Sequence, residues 1–160
     1  MKNMSNHLLL LMLALFSSCT NGAKEKEQYT EYPYEVEFLR YLKEVHARES
    51  NENIVYYMLD LQSCDPCINA NLGLLETIEM KDKLVPVMIG KPRYGIWDSQ
   101  IEKIISRFTT LEDEKSEAHF FELGMSKPLI VVVREGIVKD YMSVSDFEID
   151  KAKAFLERHL

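Results

Sequence analysis

A pair of cysteines between a buried strand and a helix constrains the fold of this chain more than any other feature. The run Ile54–Leu59 (IVYYML) is continuously apolar and rich in β-branched and aromatic residues. Such a run is typical of a central strand that helices cover on both faces. Cys64 and Cys67 follow with two residues between them, and apolar residues with helical spacing come directly after. The sequence therefore predicts a CxxC motif at the N-terminus of a helix in an α/β domain.

The other elements are predicted from periodicity and from turn residues. An apolar strand after the cysteine helix completes a βαβ unit, so its two strands should be parallel. A two-residue gap ending in Gly136 predicts a tight hairpin. The predicted helices are Pro33–Arg48, Pro66–Met80, Asp98–Phe108 and a terminal helix opening on a capping box at Ser145–Glu148; the predicted strands are Ile54–Leu59, Leu84–Ile89, Leu129–Val133 and Ile137–Met142.

Four local features receive predictions of their own. Glu112–Glu117 is acidic and is predicted to be solvated, and Ala118–Leu123 is predicted to form a short helical turn. Pro86 indicates a position near the start of its strand or a bulge, because proline cannot donate to a ladder. Helical spacing places Ile105 on the inner face of its helix.

The cysteine arrangement is the one that disulfide exchange requires. The first sulfur can lie exposed near the helix N-terminus, where unpaired N–H groups and the macrodipole stabilise its thiolate. The second lies about one turn further on, close enough to resolve a mixed disulfide by intramolecular attack. Cys64 is therefore predicted to be the nucleophile and Cys67 the resolving thiol, without an organic cofactor.

Three alternatives for the pair stay open at this point. A structural zinc site needs about four ligands, and the domain's histidines are scattered over His46, His119 and His159, so no metal ligands are assigned, although a metal chaperone using only the CxxC is possible. A disulfide that closes so short a loop contributes little as a staple. The third alternative is a catalytically silent binding module.

The first residues are typical of an exported lipoprotein. Leu8–Phe16 is an apolar run of nine residues, too short for a bilayer, which needs roughly 20. A polar start, a short apolar run and small residues before a break mark a secretory signal peptide. Cys19 directly follows two serines, as in bacterial lipoprotein signals, and lipidation accounts for the odd third cysteine. The alternative is ordinary cleavage nearby with an idle Cys19.

These features divide the chain into three parts and give it a location. Residues 1–18 are predicted to be the lipoprotein signal peptide, 19–32 a flexible tether and 33–160 the folded domain. The expected location is the periplasm-facing surface of an inner or outer membrane, to which the lipid at Cys19 anchors the protein. The net charge is −7 and no basic tract is present, so nucleic acid is excluded as an expected partner.

Taken together, the strand IVYYMLDL, the motif SCDPC, the strand LVPVMIG, the proline-led strand KPLIVVV, the hairpin and the terminal helix resemble the thioredoxin superfamily. The stretch LEDEKSEAHFFELGMSKPLIVVVREGIV is most similar to its membrane-tethered, TlpA-like or redoxin-type branch. The resemblance implies a central mixed β-sheet flanked by helices. It also implies a cis Pro128 against the CxxC, with Lys127 able to pair with an extended substrate segment. The implied partners are an exported protein with a disulfide and a membrane thiol carrier as electron donor.

The chain departs from this family at several positions. Ser63 stands where the family commonly has tryptophan, and Met58 stands where thioredoxin has a buried acid. Asp60 lies nearer the motif and could partly substitute for that acid, but we expect a solvent-facing loop acid there. Lysine is also unusual directly before the proline. These departures leave exchange chemistry intact but leave the substrate class and the rate open, and they point to a specialised enzyme or a silent one.

The two residues between the cysteines, Asp65 and Pro66, modulate the motif. Pro66 favours the start of a helix. A carboxylate at Asp65 opposes the thiolate of Cys64, so the reduced form is less favoured and the dithiol should act as a reductant. The sequence thus predicts a reductive thiol-disulfide oxidoreductase.

Overall fold

A computed structural model describes residues 31–49, 53–79, 82–92 and 97–160 of the 160-residue chain. The predicted signal peptide and Cys19 lie outside these residues. The described helices are α1 (Glu35–His46), α2 (Asp65–Thr77), α3 (Asp98–Arg107) and α4 (Ile149–His159), with short 3₁₀ turns at Glu117–Phe120 and Asp146–Glu148; the strands are β1 (Ile54–Asp60), β2 (Leu84–Ile89), β3 (Leu111–Asp113), β4 (Leu129–Arg134) and β5 (Ile137–Ser143).

The five strands form one mixed sheet in the order β3-β2-β1-β4-β5. β1 pairs with β2 in parallel, as the βαβ pattern predicts, and β2 pairs with β3 in parallel. β4 is antiparallel to both β1 and β5. The order of the elements along the chain is the one that the resemblance implied. The α/β, thioredoxin-like fold class is therefore confirmed.

Both faces of the sheet are covered, which explains why β1 is apolar throughout. Alternate residues of a strand point to opposite faces. Tyr57 lies in a cluster with buried residues of α2, α3 and α4, whereas Met58 lies in a second cluster with buried residues of α1. Every residue of β1 before Asp60 is buried. The central-strand prediction for Ile54–Leu59 is confirmed.

The folded domain begins before the predicted boundary at Pro33. Tyr32 was assigned to the tether, but it is buried, and its hydroxyl donates to the Leu123 carbonyl at 2.5 Å. Its ring lies 6.2 Å from that of Phe38 and 4.8 Å from that of Tyr141, between ring centroids. Burying this aromatic ring is favourable enough to order Tyr32, although its neighbours in the sequence are polar. Tyr32 therefore belongs to the domain.

The prediction that Glu112–Glu117 is solvated is wrong at Asp113. Leu111–Asp113 forms β3, and Asp113 is only 2% exposed. Its two carboxylate oxygens accept the backbone N–H groups of Glu117 and Ala118, each at 2.8 Å. These bonds compensate the burial of the charge and begin the predicted short helical turn, which the structure confirms at Glu117–Phe120.

Pro86 lies in β2 without breaking a ladder. The Lys83 carbonyl accepts from Val55 of β1 at 2.7 Å, whereas Gly90 donates to Asp113 of β3 at 2.8 Å. Alternation therefore turns the backbone groups of Pro86 toward β3. Because β3 pairs only with Val87–Ile89, the missing N–H lies beyond the end of β3. The strand prediction holds, and Pro86 is its third residue.

The inner face of α3 is narrower than predicted. Ile104 and Phe108 are buried, and Ile101 packs against the same core cluster. Ile105 is 37% exposed, so its prediction as an inner residue is wrong. This helix of ten residues contacts the core along one face only, and Ile105 lies at the border of that face. None of the helices within the described ranges is long and apolar enough to cross a membrane.

The C-terminal hairpin is confirmed, and its outer edge is covered by side chains. Glu135 and Gly136 form the turn with φ of 54° and 77°. On β5, the Val138 N–H donates to the Glu35 carboxylate at 3.1 Å, and the Tyr141 N–H donates to the Asp140 carboxylate at 2.9 Å. Carboxylates thus occupy backbone donors of this edge strand.

The predicted capping box does not open the terminal helix. The Ser145 hydroxyl donates to the Glu148 carboxylate at 2.8 Å, and the side chain of Ser145 caps no backbone N–H. The carboxylate competes for the hydroxyl, and Asp146–Glu148 forms a 3₁₀ turn before α4. The terminal helix itself buries Phe155 and Leu156, as predicted.

Candidate active site

The two cysteines lie where the sequence predicts them, at the start of α2. Cys64 is the N-cap residue with φ −74° and ψ 128°, and it is joined to Cys67 by a disulfide with 5.4 Å between their Cα atoms. Cys64 is exposed and Cys67 is half-buried. The site therefore presents one sulfur outward and keeps the other against the domain.

The first turn of α2 directs one backbone N–H at the Cys64 sulfur and another at the Cys64 carbonyl. The Cys67 N–H lies 3.3 Å from Cys64 Sγ, and the Ile68 N–H donates to the Cys64 carbonyl at 3.0 Å. Pro66 lies in this turn, where its missing N–H costs nothing. The positive end of the helix favours a thiolate at Cys64, and the carboxylate of Asp65 in the same turn opposes it. The stability of the Cys64 thiolate in the reduced protein depends on the balance of these two effects.

Asp60 organises the loop between β1 and the motif and is not a solvent-facing acid as expected. One of its carboxylate oxygens accepts from the Gln62 N–H at 2.8 Å, and its carbonyl accepts from the Ser63 hydroxyl at 2.8 Å and the Ser63 N–H at 3.2 Å. The other carboxylate oxygen pairs with His119 Nε2 at 3.1 Å. Ser63, in the place of the family's tryptophan, thus helps to close the turn that leads to Cys64.

Close packing against Gly90 also fixes this loop. Gly90 has a φ of 73°, and a Cβ there would lie 2.9 Å from Ser116 Oγ and 3.0 Å from the side chain of Gln62. Glycine is required both for the left-handed backbone and for the close approach. The loop before the motif is held between β1 and the segment after β3.

A buried polar pair beneath the motif was missed from the sequence. Asn71 of α2 is 0% exposed; its amide nitrogen donates to the Cys67 carbonyl at 2.7 Å, and its amide oxygen accepts from the Tyr57 hydroxyl. Burial raises the pKa of Tyr57 far above its ordinary value, so the phenol stays protonated and donates. The available signal was an asparagine next to the apolar stripe of a helix, four residues after Cys67.

Lys127 and Pro128 lie at the same end of the sheet as the cysteines. Leu129 pairs with Met58, two residues before the end of β1, so the segment before β4 runs beside the strand end from which the motif loop emerges. The described peptide bonds include no cis bond, and the expectation of a cis Pro128 is wrong. The Pro128 carbonyl accepts from the Val144 N–H at 2.7 Å, which extends the antiparallel ladder from β4 in the ordinary trans form.

The turn after β5 adds an exposed aromatic side chain at this end of the molecule. Phe147 lies in the 3₁₀ turn that contacts α2 and is 92% exposed. Its neighbour Glu148 has its pKa lowered by hydrogen bonds from Ser145 and Lys151, with a smaller contribution from the charge of Lys127. Lys127 is thus close to the turn that carries Phe147.

The histidines are engaged outside the motif. His46 contacts the Tyr41 hydroxyl at 3.0 Å, and His159 contacts the Asp140 carboxylate at 3.1 Å. Across residues 31–49, 53–79, 82–92 and 97–160, no three of the His, Cys, Asp and Glu side chains are grouped so that they could hold a metal ion. A metal at this site would have the two cysteine sulfurs as its protein ligands.

A mixed sheet with a CxxC at the N-terminus of the helix that follows its central strand defines a thioredoxin-like domain with a dithiol-disulfide site. No protein-family model matches the chain, and no curated protein matches it.

Three solved structures are similar to this chain in fold. A protein described as a thiol:disulfide interchange protein DsbE from Chlorobium tepidum is 14% identical, with 71% of this chain and 84% of that chain covered and a TM-score of 0.46. A secreted Mycobacterium tuberculosis disulfide oxidoreductase homologous to E. coli DsbE is 18% identical, with 68% and 85% covered and a TM-score of 0.44. The thioredoxin domain of a Bacteroides vulgatus thiol-disulfide oxidoreductase is 16% identical, with 66% and 80% covered and a TM-score of 0.42.

Proposed function

We propose that this chain is an exported, lipid-anchored thiol-disulfide oxidoreductase that acts as a reductant. The observation that supports the chemistry best is the asymmetry of the pair, because Cys64 is exposed at the N-cap of α2 and Cys67 is half-buried one turn further on. A nucleophile must reach a sulfur of a bulky substrate, whereas a resolving thiol must reach only its neighbour. The two cysteines meet these different requirements.

In the proposed cycle, the Cys64 thiolate of the reduced protein attacks one sulfur of a substrate disulfide. A mixed disulfide forms, and the other substrate sulfur leaves with the electron pair of the broken bond and takes a proton from water. Cys67 then loses its proton to water and attacks the Cys64 sulfur. This step forms the Cys64–Cys67 disulfide and releases the second substrate thiolate. Two electrons have passed to the substrate. We propose that a membrane thiol carrier then supplies two electrons that reduce the Cys64–Cys67 disulfide again.

The reductive direction is supported by the charge next to the nucleophile. A carboxylate at Asp65 disfavours the Cys64 thiolate and with it the reduced form. We expect a reduction potential nearer to that of thioredoxin, about −270 mV, than to that of the oxidant DsbA, about −120 mV. Asp65→Asn should raise the potential, whereas the matched removal of a charge at exposed Asp82 should not. A wild-type potential in the strongly oxidising range would contradict this direction.

The proposed docking site for an exported protein substrate lies beside Cys64. Lys127 and Pro128 precede β4 at this end of the sheet, and Phe147 is exposed on the neighbouring turn. Because Pro128 is trans, an extended substrate segment would meet the backbone of Lys127 in the geometry of an ordinary strand start. Pairing with this backbone requires an extended segment, so the proposed substrate is an unfolded segment and not a folded surface.

Trapping the mixed disulfide tests the activity directly. In Cys67→Ser the resolving thiol is absent, so a peptide with a single disulfide should stay bound to Cys64 as a covalent adduct. The adduct should disappear on addition of a dithiol and should not form in Cys64→Ser, which is the matched control. Intact-mass spectrometry measures both.

The absence of any adduct in Cys67→Ser, together with no reduction of the peptide by the wild-type protein, would contradict the activity. A catalytically silent binding lipoprotein would then be supported. Stoichiometric binding of copper or zinc by the wild-type protein, lost in Cys64→Ser, would support a metal chaperone instead.

The anchor is proposed from the residues before the described domain. Cys19 after a short apolar run is the expected lipidation site, and several acyl chains would hold the domain at the membrane. Metabolic labelling with a fatty acid should mark the wild-type protein and not Cys19→Ala. Label that persists in Cys19→Ala would contradict lipidation at this cysteine.

A further inference from the structure

Asn71 is one of two polar side chains that are buried in the described part of the chain, and it lies directly under the motif. A buried amide in a helix costs free energy unless both of its ends are hydrogen-bonded, and asparagine is a poor helix former. An apolar residue would suit this position between Ile68 and Leu75, which are both buried in the same cluster. The amide therefore calls for an explanation beyond packing.

The hydrogen bonds of Asn71 join the resolving cysteine to the central strand. Its amide nitrogen donates to the Cys67 carbonyl at 2.7 Å, and its oxygen accepts from the hydroxyl of Tyr57, which is 0% exposed. Tyr57 is held in β1 between Pro86 of β2 and Ile130 of β4. The carbonyl of Cys67 is thus tied to the most constrained strand of the sheet.

The other side of Cys67 faces the nucleophile. Its N–H lies 3.3 Å from Cys64 Sγ, so the backbone of Cys67 is fixed between the sulfur that it must attack and the Asn71 amide. Reactions between groups held at contact gain from a high effective concentration, which is lost when one group is free to move. The hydrogen bonds of the Cys67 backbone therefore fix the position of Cys67 relative to the Cys64 sulfur.

We propose that Tyr57 and Asn71 form a positioning pair that holds Cys67 for the resolving step of the exchange reaction. The inference rests on the proposed function. The pair takes no part in proton transfer, because a neutral amide and a protonated phenol only donate and accept hydrogen bonds here. Cys67 attacks Cys64, the bond between these sulfurs forms, and the bond from Cys64 to the substrate breaks with its electron pair leaving on the substrate thiolate.

The test compares Tyr57→Phe with a matched control that removes an equally buried hydroxyl elsewhere. Tyr41 is 0% exposed, and its hydroxyl donates to buried Asp113 at 3.2 Å on the other face of the sheet. Tyr57→Phe and Tyr41→Phe both keep the ring and remove a buried hydroxyl; the Tyr41 hydroxyl also contacts His46 at 3.0 Å. A loss of stability alone should therefore be at least as large in Tyr41→Phe as in Tyr57→Phe.

Equilibration with reduced and oxidised glutathione measures the effective concentration of the dithiol. We expect Tyr57→Phe to lower it about tenfold, the effect of one lost buried hydrogen bond, and to slow the release of glutathione from the mixed disulfide to the same extent. The rate of the first attack by Cys64 on glutathione disulfide is measured in proteins that also carry Cys67→Ser. Tyr57→Phe should change this rate by less than about twofold. Tyr41→Phe should change neither quantity.

A second variant keeps the test informative if Tyr57→Phe is poorly folded. Asn71→Leu replaces the amide by an apolar side chain of similar size. The double variant should be no slower than Asn71→Leu alone, because both changes act through one contact. Wild-type resolution rates in both variants would overturn the inference. If the wild-type protein forms no mixed disulfide with glutathione, the proposed function itself fails.

Discussion

At the scale of single residues, the buried carboxylate of Asp113 organises the backbone after β3. Its carboxylate accepts from the N–H groups of Glu117 and Ala118 and from the Tyr41 hydroxyl. Burial, and next the negative charge of Asp113, raise the pKa of Tyr41 far above its ordinary value, so the phenol remains a donor. One buried carboxylate therefore joins α1, β3 and the turn after it.

Asp113→Ala should destabilise the domain strongly. It leaves the buried Ala118 N–H and the partly buried Glu117 N–H without their acceptor and removes one partner of the Tyr41 hydroxyl, and we expect a loss of about 3 kcal/mol in the free energy of unfolding. Urea denaturation measures this loss. Glu112→Ala removes an exposed carboxylate from the same strand and should change stability by less than about 0.5 kcal/mol. Equal effects of the two changes would contradict the role assigned to Asp113.

The sequence could predict the reactive residues of the site but not the residues that hold them. Cys64 and Cys67 are recognisable because their spacing has a direct chemical meaning. Asp113 stands among other acids and Asn71 stands in a helix, and neither pattern shows which polar side chain is buried. Burial depends on which segments meet across the sheet, and that information is absent from any single segment.

At the scale of elements, length decides what periodicity can show. β1 and β4 are long, continuous apolar runs and were predicted within one or two residues. β3 has three residues, too few for any period, and it exists because β2 offers it a ladder. The trans Pro128 is a second feature that was not predicted, since neither isomer of an X–Pro bond leaves a mark in the sequence itself.

The hairpin gives a prediction at this scale. Glu135 is exposed and holds a left-handed φ of 54°, which costs an L-residue roughly 1 kcal/mol or more. Glu135→Asn should stabilise the domain by about 0.5 kcal/mol, because asparagine tolerates this conformation in such turns. Gly136→Ala, at a φ of 77°, should destabilise it. Thermal unfolding of both variants measures these shifts, and a lower melting temperature for Glu135→Asn would contradict the assignment of strain.

At the scale of the whole molecule, two histidines on opposite faces connect stability to pH. Burial lowers the pKa of His46 on α1 and of His159 on α4, although nearby Asp113 and Asp140 partly oppose the effect. The folded protein thus binds these protons more weakly than the unfolded chain does. The stabilisation is complete above the ordinary histidine pKa of about 6.5 and is lost as the pH falls through and below it.

We therefore expect the free energy of unfolding to decrease between pH 7.5 and pH 5. The double variant His46→Gln, His159→Gln should show a smaller decrease over the same range, because its folded and unfolded states no longer differ in these two protons. Urea titrations at several pH values measure the slopes. Identical slopes for the wild-type and the double variant would show that other groups cause the dependence.

The carboxylates along the outer edge of β5 have a consequence for how the molecule handles its clients. Chains with unformed or wrongly formed disulfides expose strands, and an open sheet edge would accept them as additional strands. Glu35 and Asp140 already occupy donors of this edge. In the proposed function, a client would then be held at the segment before β4 and by its bond to Cys64, and not along this edge. Occupied donors at the β5 edge would let the proposed oxidoreductase turn over on unfolded chains instead of coaggregating with them along this strand.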